Sequence, residues 1–347
     1  MSNILNNLST DPKVLYYKTE RQITDNYDLK KDFKLKGVNT AILPIEVIRK
    51  CNDIDEERIL KQQFCESIIN FINVIKQNIP DSDLVLFYNN FNYIKTSVKN
   101  FKLLNAIFGE HIAAQWIPER NTIELSKNNY KSTIDHELLH VATTYIDPKT
   151  NVIFCGFQQA KNSNEIIGEG LNEGYTQYLA EKYFASSSKA YSYEKRIAEL
   201  VELIVGQENM QSLYFNANLK GLTDVLKQYD TEENVYNFIT DLDFLIKNLT
   251  DKRLTANSNQ IILSSLRNVN SFLVQTYTKK VILEYSGEQI DLKEVFSKVI
   301  PLLNIIPIEI KLHGKSITII DENYMLSLIH EVFSCYEPSE DMKTVLK

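Results

Sequence analysis

His136-Glu137-Leu138-Leu139-His140 places two imidazoles four positions apart, with one carboxylate beside the first. On a helix that separation is about one turn, so both rings leave the same side and can share one Zn²⁺. Glu137 is not needed as a ligand and falls where it can take a proton from an attacking water. The chemistry this suggests is hydrolysis of a carbonyl compound. Histidine is rare here, with 5 in 347 residues. Chance would produce the pattern at a rate of roughly half a percent. The flanking residues Ile134, Leu138, Leu139 and Val141 are apolar, as a helix buried in a core requires. Ionisable groups on such a helix are costly unless they are paired or bind a metal, and an ion answers that cost.

A catalytic zinc takes three protein ligands and a water. A third histidine in the HExxHxxGxxH arrangement would stand at position 146, which is Ile146, and the next histidine after His140 is His313. A glutamate from Gly168-Glu169-Gly170-Leu171-Asn172-Glu173-Gly174-Tyr175 can complete a His₂Glu set. Glu165, Glu169 and Glu173 all compete for this role. Glu169 sits between glycines and is expected in the loop before a helix, where charge compensation of the helix N-terminus would also explain it. Glu173 falls within the periodic helical stretch.

HELLH followed by a helix bearing Asn172-Glu173-Gly174 resembles the gluzincin metallopeptidases, which include thermolysin-like proteases and zinc aminopeptidases. The resemblance covers roughly Ala113 to Phe184 and implies a zincin-like α+β catalytic domain in which His136, His140 and Glu173 bind Zn²⁺. It also implies that Glu137 is the general base for peptide hydrolysis. In such proteins a strand before the active-site helix lies at the sheet edge and pairs with an extended substrate, a role that would fall on Thr122–Leu125. The Gly-x-Met-Glu-Asn exopeptidase signature is missing. Gln177 stands where thermolysin-like enzymes carry an acidic residue, leaving the histidines without an assigned outer partner. A tyrosine is the expected oxyanion donor, and Tyr175, Tyr178, Tyr191, Tyr193 and Tyr214 are all available.

The elements that must position these residues are legible in outline. A helix is expected from Asp55 to Pro80, with apolar residues recurring at three and four. The run Leu84–Tyr88 reads as a strand. Ala113–Ile117 and Thr122–Leu125 read as a hairpin around Pro118-Glu119-Arg120-Asn121. The HELLH helix is expected to begin after Asn128-Asn129 and end before Asp147-Pro148. Later helices are expected at Tyr193–Ile204, Val235–Asn248, Ile261–Val274, Leu292–Leu303 and Asn323–Cys335, the second opened by Asp230 and Glu233 in a capping-box-like relation. A late hairpin is expected around His313-Gly314-Lys315. The organisation that follows is an N-terminal extension over 1–50, a catalytic domain over 51–188 and a mostly helical domain over 189–347.

At 347 residues, 44% apolar and 24% charged, the chain is globular in composition, and its net charge of −7 offers no overall field for nucleic acid or anionic lipid. No stretch is long and apolar enough to span a bilayer. The four cysteines, Cys51, Cys65, Cys155 and Cys335, show neither CxxC pairs nor a disulfide pattern, so free thiols and a cytoplasmic setting are expected, with signal-independent export left open. The expected partner is a peptide or extended protein segment. The competing readings are a non-catalytic zinc-binding or regulatory module and a zinc hydrolase of a non-peptide substrate.

Overall fold

The structure, a computed structural model, describes residues 58–91, 94–99, 114–126, 133–162, 165–186, 190–249, 256–285, 290–303, 305–307, 309–312 and 315–336. The expected N-terminal extension and the Asn128-Asn129 caps lie outside these residues. The fold is α+β. It divides into two compact units. One holds the described residues up to Lys195 together with Gly206–Leu222, and the other holds Arg196–Val205 and the described residues from Thr223 onward.

The first unit opens with α1 (Arg58–Asn78), which buries Ile68, Phe71, Ile72 and Ile75 and stops before Pro80, as the periodicity requires. The run expected as a strand, Leu84–Tyr88, is instead helical, contributing most of α2 (Val85–Phe91). Every residue from Leu84 to Tyr88 is buried, and so is Phe91. A short run without polar alternation fits a buried helix as well as a strand, and packing decides between them. On a helix, Phe87 and Phe91 share one side and both face Phe71, whose ring lies 6.3 and 5.6 Å from theirs.

β1 (Lys95–Lys99), β2 (Ala114–Ile117) and β3 (Thr122–Ser126) form a sheet in the order β1-β3-β2. The expected hairpin is present, with Asn121 in the left-handed conformation after Pro118–Arg120. The expected edge position of Thr122–Leu125 is not: β3 pairs in parallel with β1 on one side and antiparallel with β2 on the other. A strand from an earlier segment covers the side of β3 that would have been open, and β2 is left as an edge.

The HELLH residues lie on α3 (Ile134–Ala142), which follows Thr133 and ends well before Asp147. The β-branched and aromatic run after it favours extended backbone. Thr144–Ile146 becomes β4, the first strand of a meander that continues through β5 (Ile153–Cys155), β6 (Gln158–Ala160) and β7 (Ile166–Ile167). One face of this sheet buries Tyr145 and Phe154 against Leu86 and Ala217.

α4 (Glu169–Phe184) starts directly after Gly168. Gly168 has φ +81°, and a Cβ there would lie 2.0 Å from the Phe157 carbonyl oxygen, so the start of the helix is pinned to the β5–β6 turn. Glu169 is therefore the first helical residue and not part of a preceding loop. α5 (Ser192–Val205) begins against α4 at Gly174, where a Cβ would fall 2.3 Å from the Glu194 carbonyl oxygen. α6 (Gln207–Phe215) completes the unit, with the Tyr214 hydroxyl 2.7 Å from Thr176 Oγ1.

In the second unit, the later residues of α5 and of α7 (Leu219–Leu226) join α8 (Glu232–Asn248), α9 (Ala256–Glu284), α10 (Leu292–Leu303) and α11 (Glu322–Ser334). The hairpin β8 (Glu309–Leu312) and β9 (Lys315–Thr318) lies where the sequence indicates. α8 is capped by Thr231, whose hydroxyl oxygen accepts from the Asn234 N–H at 3.2 Å, and not by Asp230. Asp230 instead pairs with Lys279 at 2.8 Å and so ties the start of α8 to α9. Among the described residues no helix is long and apolar enough to cross a membrane.

Candidate metal centre

α3 and α4 pack against each other within the first unit. His136 and His140 lie on the α3 face toward α4 and are each 7% exposed, with Glu173 opposite them. His136 Nε2 is 3.0 Å from Glu173 Oε2, His140 Nε2 is 3.3 Å from Glu173 Oε1, and the two Nε2 atoms are 3.1 Å apart. Tetrahedral zinc with bonds near 2.0–2.1 Å sets its ligand atoms about 3.3 Å apart, so the three donors fit that ion closely. Two neutral imidazole nitrogens and one carboxylate are a zinc-type donor set. Among the described residues these three are the group able to hold a metal, and Glu165 and Glu169 are not members of it.

The electrostatics are those of a strongly coupled cluster. Burial pushes the His140 pKa down, but Glu173, followed by Cys155, outweighs burial and holds it well above the usual histidine range. Burial would raise the Glu173 carboxyl, yet His140 and His136 override that and hold it far below the usual carboxylate range. A dication at this point would replace the protons as the positive partner of Glu173.

Glu137 stands on the same side but outside the donor group. The backbone N–H of Trp116 on β2 donates to its Oε2 at 2.8 Å. The Trp116 indole N–H donates to Thr144 Oγ1 at 2.9 Å, and Thr144 Oγ1 donates to the His140 carbonyl at 2.6 Å. One residue of the edge strand thereby orients both the base and the end of the histidine helix.

These groups line a cleft of about 930 Å³ that also contains Tyr191 and Glu169. Of the five tyrosines considered from sequence, Tyr175 and Tyr214 are fully buried, whereas Tyr191 opens onto the cleft and stacks its ring on His136 at 5.7 Å. Tyr191 also has φ +55°, a strained conformation for a bulky residue, which marks a position held by its surroundings. Glu173 and then burial keep its hydroxyl protonated well above the ordinary tyrosine range. Gln177 does not reach the histidines, and its amide donates to Glu181 at 3.1 Å.

Glu194, on the first turn of α5, is 4% exposed, and burial raises its pKa to about 7, with Glu173 adding to the effect. Because the folded-state value exceeds the unfolded one, near 4.5, the folded state holds the extra proton between the two values. The associated stability is present below pH 4.5 and is lost as pH rises through 7. Glu194→Gln is therefore expected to be more stable than the parent by about 3 kcal/mol above pH 8, with the gap closing toward pH 5. Urea unfolding of both proteins from pH 5 to 8 checks this, and parallel stability curves would refute it.

No family model, curated protein or solved structure matches the chain. The reading of the centre rests on its own residues.

Proposed function

We propose that the chain is a zinc metallopeptidase of gluzincin type, with a zincin-like catalytic unit, that hydrolyses peptide bonds in an extended segment. The observation that carries this reading is the convergence of His136, His140 and Glu173 at zinc-ligand spacing, with Glu137 held apart from them on the same cleft. A non-catalytic zinc module needs the three ligands but has no use for a carboxylate oriented beside them.

When bound, zinc lowers the pKa of its water and polarises the substrate carbonyl. Glu137, aligned by the Trp116 N–H, takes the proton from the attacking water and returns it to the departing amine. The Tyr191 hydroxyl, protonated and on the same cleft, donates to the oxygen that gains charge. The edge strand β2 lines the cleft and suits an extended substrate that adds as a further strand. Facing it, Ile146, Ile153, Ala160 and Ile166 are register partners across β4–β7 and form an apolar row on the cleft wall. This row suits an aliphatic side chain near the scissile bond.

The test is digestion of an unbiased peptide library by protein of measured zinc content. Cleavage next to aliphatic residues is expected, and Tyr191→Phe should lower kcat about a hundredfold with zinc content unchanged. Zinc-loaded protein that cleaves no peptide would overturn the peptidase reading and favour a non-peptide substrate or a non-catalytic site.

A further inference from the structure

His140 can offer Nε2 to a metal only if Nδ1 carries the ring proton, and that N–H requires an acceptor behind it. Two groups stand within reach of Nδ1, Asn172 Nδ2 and Cys155 Sγ, each at 3.5 Å. The Asn172 amide is oriented by the β5–β6 turn, where its Oδ1 accepts from the Phe157 N–H at 3.1 Å. Its nitrogen therefore faces the ring, and an amide nitrogen only donates. Cys155 remains as the acceptor. It is 6% exposed, its thiol donates to the carbonyl of His140 itself at 3.6 Å, and Thr143 Oγ1 lies 3.7 Å from the sulfur.

We propose that Cys155 is the positioning residue of the metal centre: its sulfur accepts the Nδ1–H of His140 and holds the ring with Nε2 toward the other two donors. This rests on the metal-centre reading above. Metal-binding histidines usually lean on a carboxylate, a carbonyl or a water, and a thiol in that place makes the site depend on one buried cysteine. The assignment also explains why Gln177 can turn away to Glu181: the place behind His140 is filled from β5 and not from α4.

The experiment uses the full chain loaded with zinc. Affinity is measured by chelator competition for the parent, Cys155→Ala and Cys155→Ser, and the Nδ1–H of His140 is followed by proton–nitrogen NMR. Cys155→Ala is expected to bind zinc about 10- to 100-fold more weakly and to lose a protected Nδ1–H signal. Cys155→Ser, whose hydroxyl also accepts, should lose less than the alanine variant. Equal affinity in the parent and Cys155→Ala, or equal losses in the two variants with the Nδ1–H signal intact, would overturn the role of Cys155 alone. If the alanine variant fails to fold, the parent still decides: zinc on Nδ1, or an Nε2–H tautomer in the loaded protein, overturns the proposal. A parent protein that takes up no zinc overturns the metal reading and this inference with it.

Discussion

Glu137→Gln is expected to lower the rate of peptide hydrolysis on the order of a hundredfold to ten-thousandfold while zinc stays bound and the fold is kept. The glutamine is nearly isosteric and retains an oxygen that can accept from the Trp116 N–H, which in the parent donates to Glu137 Oε2 at 2.8 Å. What it lacks is a site for the proton of the attacking water. Because Glu137 lies outside the donor group, its loss should leave metal affinity near the parent value. The measurement is single-turnover hydrolysis of the best library peptide, with zinc content determined on the same samples. Equal rates in parent and variant would show that Glu137 is not the base, and zinc loss in the variant would show that it is a ligand.

The second large effect is expected in metal binding. His136→Ala, His140→Ala or Glu173→Ala each leave a two-donor site, which holds zinc poorly, and affinity should fall by at least about a hundredfold. Glu169→Ala should keep the metal, since Glu169 lines the cleft from the first turn of α4 but lies outside the donor cluster. Chelator competition on the four variants checks the assignment. Zinc retained by Glu173→Ala and lost from Glu169→Ala would shift the third ligand by one turn of α4 and refute the centre as described. The pH dependence has a definite sign. With His140 held above the usual histidine range in the metal-free protein, protons compete with the metal, so binding should strengthen as pH rises.

The sequence by itself determined the parts of this protein that depend on neighbours along the chain. The four-residue separation of His136 and His140 and the periodicity around Glu173 placed three donors on two helices, because helical geometry converts spacing directly into a shared face. The hairpin at Pro118–Arg120 and the helices of the second unit followed from turn residues and apolar repeats in the same way. Leu84–Tyr88 was not decidable on those terms, since a fully apolar run carries no period, and only its aromatic packing against α1 makes it helical. The end of α3 and the meander after it were hidden because strands of two or three residues carry too little pattern to register. Without that sheet nothing in the sequence could bring Cys155 behind His140, fifteen residues away. Trp116 beside Glu137 and Tyr191 against His136 belong to the same class. Each is brought to the centre by an element whose position is set by burial and strand pairing with distant segments, and such contacts leave no periodic trace in the chain. The ligands are read from local spacing, whereas the residues that orient them are chosen by tertiary packing.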